Sequence, residues 1–257
     1  MRKLKVLELF SGTGSISKAF EERGHKTVRI DWDEKMEADW HVDIGKLTAE
    51  KIVKRYGWFD VIWASPECTT YSVAAISKHR RKDPEWGGLY PISEYGKQCD
   101  RINVNLMRII RDMWAPAVFI ENPRAAFRKM DWIQWIPRHT LTYCQYQTEL
   151  PLEQRRMKPT DIFCTVPNPK FKPPCKNGDP CHVKAPRGST TGTQGMKLID
   201  KFRIPDELCR HVVTICEDYI SRLDKANEFL VSQGLEPITP HWGEDREPTE
   251  PQQRLFS

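Results

Sequence analysis

A chain of 257 residues, 39% hydrophobic and 29% charged, has the composition of a soluble globular protein with one large domain. No apolar run approaches the roughly 18–20 residues that span a bilayer, and Met1 to Phe10 holds no signal-peptide core, so no membrane association and a cytoplasmic location are expected, with the eight cysteines as reduced thiols. A net charge of +5 permits a nucleic-acid partner without demanding one.

In chain order, Lys5 to Phe10 reads as a strand, Ile16 to Arg23 as a helix and Lys26 to Ile30 as a second strand. Thr48 to Tyr56 reads as a helix capped by Thr48, and Asp60 to Ala64 as a buried strand stopped by Ser65-Pro66. A polar loop around Asp83 to Tyr95 precedes a helix over Ile102 to Met113. Strands follow at Ala117 to Ile120 and Thr160 to Phe163. Strands alternating with helices, with no hairpin signals, predict an α/β fold with a doubly wound, mostly parallel sheet. Ligands of such sheets lie beyond the carboxyl ends of the strands, where every motif below falls. From about Thr165 the chain changes character. Residues 166–200 form a basic, loop-rich insertion, 201–233 one or two helices packing on the domain 1–165, and 234–257 a flexible tail poor in apolar residues.

Two groups of residues carry chemistry. After the first strand, Phe10-Ser11-Gly12-Thr13-Gly14-Ser15 opens a helix, and its glycines let the backbone approach a ligand. A purely structural turn is the competing reading, and Ser17 in place of a third glycine argues against a nicotinamide cofactor. Asp31 and Trp32 end the second strand, and Asp43-Ile44 follows. Two acids with an indole between them suggest an adenosine site. The second group starts at Ser65-Pro66-Glu67-Cys68, where a cysteine just past a buried strand is a candidate nucleophile, its thiolate favoured by nearby donors or positive charge. An inert cysteine is the alternative. Glu121-Asn122-Pro123 ends the next strand, and Gln154-Arg155-Arg156-Met157-Lys158 leads into the one after.

Taken together and in this order, these motifs resemble those of the DNA cytosine-5 methyltransferases, over roughly residues 5–165. Leu9 to Gly14 is similar to the family's S-adenosylmethionine loop, Asp31-Trp32-Asp33 to its ribose and adenine contacts, and Asp43-Ile44 to its adenine-binding pair. Pro66-Glu67-Cys68 is similar to the Pro-Pro-Cys nucleophile loop, Glu121-Asn122-Pro123 to Glu-Asn-Val, and Gln154-x-Arg156-x-Lys158 to Gln-x-Arg-x-Arg. The sequence departs from the family at Glu67, Thr69, Pro123 and Lys158, and the long variable region after Arg156 is largely missing. Its closing segment survives as Arg203-Ile204-Pro205-x-x-Leu208.

The resemblance implies a class I, Rossmann-like S-adenosylmethionine-dependent fold and methyl transfer to C5 of a cytosine flipped out of double-stranded DNA. Cys68 would add to C6 while Glu121, protonated or sharing a proton, engages N3. Arg156 would orient the base and the nucleophile loop, with Lys158 beside it. Cofactor contacts are implied for Phe10, Gly12, Thr13, Gly14, Ser15, Asp31, Trp32, Asp43, Ile44 and Pro66. Modification of a free cytosine nucleotide, transfer of a different group, and a catalytically silent DNA-binding module are the alternatives.

The remaining readings concern the insertion and tail. No metal is expected. The competing reading is a zinc site of Cys164, Cys175, Cys181 and His182, whose spacing fits no standard knuckle. Lys170, Lys172, Lys176, Lys184 and Arg187 suggest contacts to the DNA backbone, or a solvated basic loop. The small polar run Arg187 to Gly195 would line either the DNA or the cofactor. Gln252, Leu255 and Phe256 resemble the Gln-x-x-Leu-Phe peptides that bind bacterial replication sliding clamps. The protein is otherwise expected to be a monomer.

Overall fold

The computed structural model describes residues 2–83, 88–186 and 198–239. The chain runs β1 (Lys5–Leu9), α1 (Ser15–Glu22), β2 (Lys26–Asp31), β3 (Trp40–His41), α2 (Ala49–Tyr56), β4 (Val61–Ala64), α3 (Ile76–His79), β5 (Arg80–Asp83), β6 (Gly88–Pro91), α4 (Glu94–Met113), β7 (Ala117–Pro123), β8 (Arg138–Thr142), β9 (Pro159–Cys164), α5 (Leu198–Phe202) and α6 (Asp206–Ser232). Seven strands form one sheet in the order β3-β2-β1-β4-β7-β9-β8, with β9 antiparallel to both its neighbours. This is the doubly wound, mostly parallel α/β sheet that the sequence pattern predicts. The order reverses between β1 and β4, and the crevice beyond their carboxyl ends is where such sheets hold ligands.

The inner strands are apolar on both faces, as expected of strands covered twice. On one face Leu7, Leu9, Ile62, Val118 and Ile120 pack with Ile52 of α2 and Leu106 and Ile110 of α4. On the other, Val6, Trp63, Phe119 and Ile162 pack with Ile16 and Phe20 of α1 and Leu208 and Val212 of α6. Each apolar side chain so buried contributes about 1.5–3 kcal/mol. Among the described residues no helix is long and apolar enough to cross a membrane.

The structure departs from the pattern reading in three places. β5 and β6 form an antiparallel hairpin within the segment read as a polar loop. The helix expected from Ile102 begins at Glu94, where the Ser93 side chain accepts from Gly96 N–H. An extra strand, β8, edges the sheet. The C-terminal stretch read as one or two helices is one helix over residues 206–232.

Where β1 meets α1, a buried acid replaces an ordinary cap. Glu8 lies on β1, and its carboxylate accepts hydrogen bonds from the backbone N–H groups of Ser17 (2.9 Å) and Ile16 (3.4 Å) in the first turn of α1. Burial nevertheless dominates and pushes its carboxyl up to about 7 from the ordinary 4.5. The folded chain therefore keeps a proton that the unfolded chain gives up. The associated stability is fully present below the unfolded value, falls through the window from 4.5 to about 7, and is gone above it. The full loss is about 3 kcal/mol. Urea denaturation should show that loss between about pH 4.5 and pH 8 in the natural protein, and a much flatter profile in Glu8→Gln.

Candidate active site

The turn after β1 is set by its backbone. Phe10, Gly12 and Gly14 all have left-handed φ values, 55°, 49° and 63°, which the two glycines adopt at little cost. The fold directs Gly12 N–H onto Asp31 Oδ2 at 2.8 Å, while Asp33 N–H donates to Oδ1 at 2.9 Å. Asp31 thus ties the ends of β1 and β2 together and keeps lone pairs for a ligand, since a carboxylate accepts about four hydrogen bonds. Thr13 and Ser15 pair through their hydroxyls at 2.8 Å. A Cβ on Gly12 would meet nothing within 4 Å, so the turn faces open space. Trp32 beside it is 70% exposed, an indole face without a protein partner across most of its area. Asp43 caps a short turn, its Oδ1 accepting from Gly45 N–H at 2.8 Å, whereas the Ile44 side chain is core. An open backbone turn, a free indole and acids at successive strand ends fit an adenosine-bearing cofactor.

The second group assembles at adjoining strand ends. β4 and β7 are parallel, with Ala64 opposite Ile120, so Ser65-Pro66 and Glu121 leave the sheet side by side. Asn122 Nδ2 donates to the Pro66 carbonyl at 3.2 Å and fastens the nucleophile loop to β7. Pro66 is buried and Cys68 half-buried at the head of a turn over Thr69–Tyr71. Glu121, 7% exposed, accepts from Tyr143 Oη at 2.9 Å and lies 3.9 Å from Lys158 Nζ. Lys158 is held over the Tyr143 ring at 4.7 Å and donates to the Lys201 carbonyl at 2.9 Å.

Two expectations are corrected here. The thiolate is not favoured in the free protein. Burial, then the charges of Glu121 and Glu67, push the Cys68 thiol up to about 12, and Lys158 only partly opposes them. The cation beside the site is Lys158 rather than Arg156. The Arg156 guanidinium donates to the carbonyls of Glu153 and Arg155, within its own loop.

The motif reading missed what anchors the nucleophile loop. Arg80, fully buried, pairs with Asp100 at 2.6 Å, donates to Thr70 O and Thr70 Oγ1, and lies over the Tyr71 ring at 3.8 Å. Tyr71 Oη donates to Asp100 Oδ1 at 2.5 Å and accepts from Asn103 Nδ2 at 2.9 Å. Thr70 and Tyr71 directly follow the nucleophile turn, so this network fixes Cys68 from one side as Asn122 does from the other. Arg80 sits in a run of charged residues that reads as solvated surface.

The zinc alternative is corrected in its membership. Cys164 ends β9 with its sulfur accepting from Val166 N–H at 3.3 Å. Cys175, Cys181 and His182 instead gather around Cys144, in the turn after β8. Of the insertion's lysines, Lys172 is turned inward onto Glu207 and the Gln145 carbonyl, which removes it from the set suggested for DNA. Arg187 to Gly195 and the tail residues Gln252, Leu255 and Phe256 lie outside the described residues.

No family model matches the chain. A Frog virus 3 (isolate Goorha) protein, described as a probable DNA (cytosine-5)-methyltransferase, is 27% identical over 226 residues, covering 83% of this chain and all of the viral protein. Among solved structures, an Entamoeba histolytica methyltransferase is 17% identical, with a TM-score of 0.45, over 67% of this chain and 56% of that one. A Spodoptera frugiperda DNMT2 is 18% identical, with a TM-score of 0.42, over 68% and 54% respectively. The chain thus spans little more than half the length of these two structures. The ordered motifs on the strand ends are similar to those of the DNA cytosine-5 methyltransferases, and the viral relative is matched along its whole length.

Proposed function

We propose that this protein methylates C5 of cytosine in duplex DNA through a covalent adduct between Cys68 and C6 of the base. The observation that carries the reading is the pairing of Cys68 with Glu121 on adjoining strand ends, next to the open Gly12–Trp32 turn. Gly12, Asp31, Trp32 and Asp43 would hold S-adenosylmethionine, which when bound would supply an electrophilic methyl group to the crevice. Phe10, Thr13, Gly14 and Ser15 shape the turn, and Ile44 and Pro66 support it from the core side.

Cys68 Sγ forms a bond to C6, and the electron pair of the C5–C6 double bond moves to C5, which becomes nucleophilic. Glu121 engages N3 and steadies the ring as its charge changes. Tyr143 and Lys158 hold Glu121 at Oε1. Once C5 carries the methyl group, loss of the C5 proton to a base re-forms the C5–C6 double bond and cleaves the Sγ–C6 bond, which restores the aromatic ring and returns Cys68 as thiolate, to be reprotonated from solvent. With its thiol held near 12, Cys68 loses its proton only as the base arrives, so nucleophile formation is coupled to substrate binding.

The test is transfer of labelled methyl from S-adenosylmethionine to duplex DNA, set against dCMP. Label recovered as 5-methylcytosine in the duplex is the expected result. Label in dCMP alone, or in neither, refutes the proposal. DNA carrying 5-fluorocytosine should yield a denaturant-stable complex, because fluorine at C5 blocks the proton loss that frees Cys68.

A further inference from the structure

We propose that Cys144, Cys175, Cys181 and His182 bind one zinc ion that latches the 166–186 segment onto the sheet. The four ligand atoms lie within 4.8 Å of one another, and among the described residues they are the one such group. Sulfurs of Cys144 and Cys175 are 3.2 Å apart, and those of Cys144 and Cys181 3.7 Å. His182 Nδ1 lies 3.3 Å from Cys181 Sγ and 3.8 Å from Cys175 Sγ. A tetrahedron with zinc–sulfur bonds of about 2.3 Å and a zinc–nitrogen bond of about 2.0 Å has edges of about 3.8 Å between sulfurs and about 3.5 Å between sulfur and nitrogen. The sulfur–nitrogen separations bracket their edge, and the two sulfur–sulfur separations lie at or somewhat below theirs. Three thiolates and an imidazole also match the softness and geometry of zinc rather than of magnesium or calcium.

The site has a structural task. From Pro167 to Pro186 the segment forms no helix or strand, and little of it is apolar. Such a segment gains little from burial, and a metal supplies what a core does not. Three ligands come from this segment and one from the turn after β8, so the ion joins the two. Cys144 directly follows Tyr143, which holds Glu121. Binding requires three thiols to release their protons and His182 to enter as neutral imidazole, leaving a net charge of −1 on the centre. Two hydrogen bonds already converge on the sulfurs, from Thr142 Oγ1 to Cys175 at 3.3 Å and from Gln145 Nε2 to Cys181 at 3.5 Å.

The experiment uses the full chain purified with a thiol reductant, saturated with zinc, desalted and measured by elemental analysis. Its readout is independent of methyl transfer, so its failure leaves the proposed catalysis untouched. About one zinc per chain is expected, together with the visible absorption of tetrahedral thiolate-bound cobalt when cobalt replaces it. Cys144→Ser and His182→Ala should lose the metal, and Cys164→Ser should keep it. If a variant fails to fold, the natural protein's stoichiometry and cobalt spectrum still decide. Zinc well below one per chain with no cobalt absorption overturns the proposal. So does loss of zinc in Cys164→Ser with retention in Cys144→Ser.

Discussion

Cys68→Ser should lower methyl transfer by roughly 10⁴-fold or more while leaving S-adenosylmethionine affinity within about twofold of the natural protein. A serine hydroxyl in the same place is a far weaker acid and nucleophile than a thiol, and the two carboxylates that oppose the thiolate would oppose an alkoxide still more. The cofactor's turn is held by the Gly12–Asp31 hydrogen bond between β1 and β2 and makes no use of the Cys68 side chain, so binding measured by calorimetry should survive. Near-natural turnover in this variant would remove the covalent mechanism. A companion measurement isolates the electrostatics. A thiol held near 12 rather than the ordinary 9.0 carries on the order of a thousandfold less thiolate at neutral pH, so Cys68 should react with iodoacetamide far more slowly than a free thiol. Glu121→Gln removes the larger of the two opposing charges, and alkylation of Cys68 should quicken even as methyl transfer falls by roughly 10²–10⁴-fold. Slower alkylation in that variant would show that Glu121 does not act on the thiol.

Asp100→Ala carries the largest expected cost in stability. It strands the Arg80 guanidinium in a site with essentially no solvent access and takes the acceptor from Tyr71. Breaking one side of a buried ion pair costs about 3–5 kcal/mol, which in a chain of this size lowers the melting temperature by on the order of 10 °C. Changing both partners, with Arg80→Met and Asp100→Leu, should recover much of that loss, because the desolvated charge goes with its partner. The double variant still lacks the contacts from Arg80 to Thr70, so it should remain catalytically impaired despite its regained melting temperature. Full activity in it would mean that the network supports the fold without positioning the nucleophile loop.

The features legible in the sequence were those carried by a short run of neighbours. The apolar runs of β1, β4 and β7 announced a doubly covered sheet, and the residues closing each run located the crevice. The hairpin of β5 and β6 was illegible because Arg80-Arg81-Lys82-Asp83 shows no alternation. Its first residue is buried only by virtue of Asp100, on a different element. Cys144 was passed over for the same reason, since its partners lie more than thirty residues away, while Cys164 looked eligible through proximity alone. Arg156 was favoured over Lys158 because the resemblance stressed arginine. Their placement depends on how the loop before β9 folds back, and that turns Lys158 toward Glu121.

The two borders of the sheet have a bearing on how this protein behaves in a crowded cell. An unpaired strand at a border is a template on which a neighbouring molecule can add its own strand, and long flat borders invite aggregation. Here one border, β3, is only two residues long. The other, β8, is flanked by the segment carrying Phe171 and Cys175, whose ring and amide rest against His139 and Thr142. Detaching that segment would bare the longer border, so clumping of otherwise folded molecules would accompany its release.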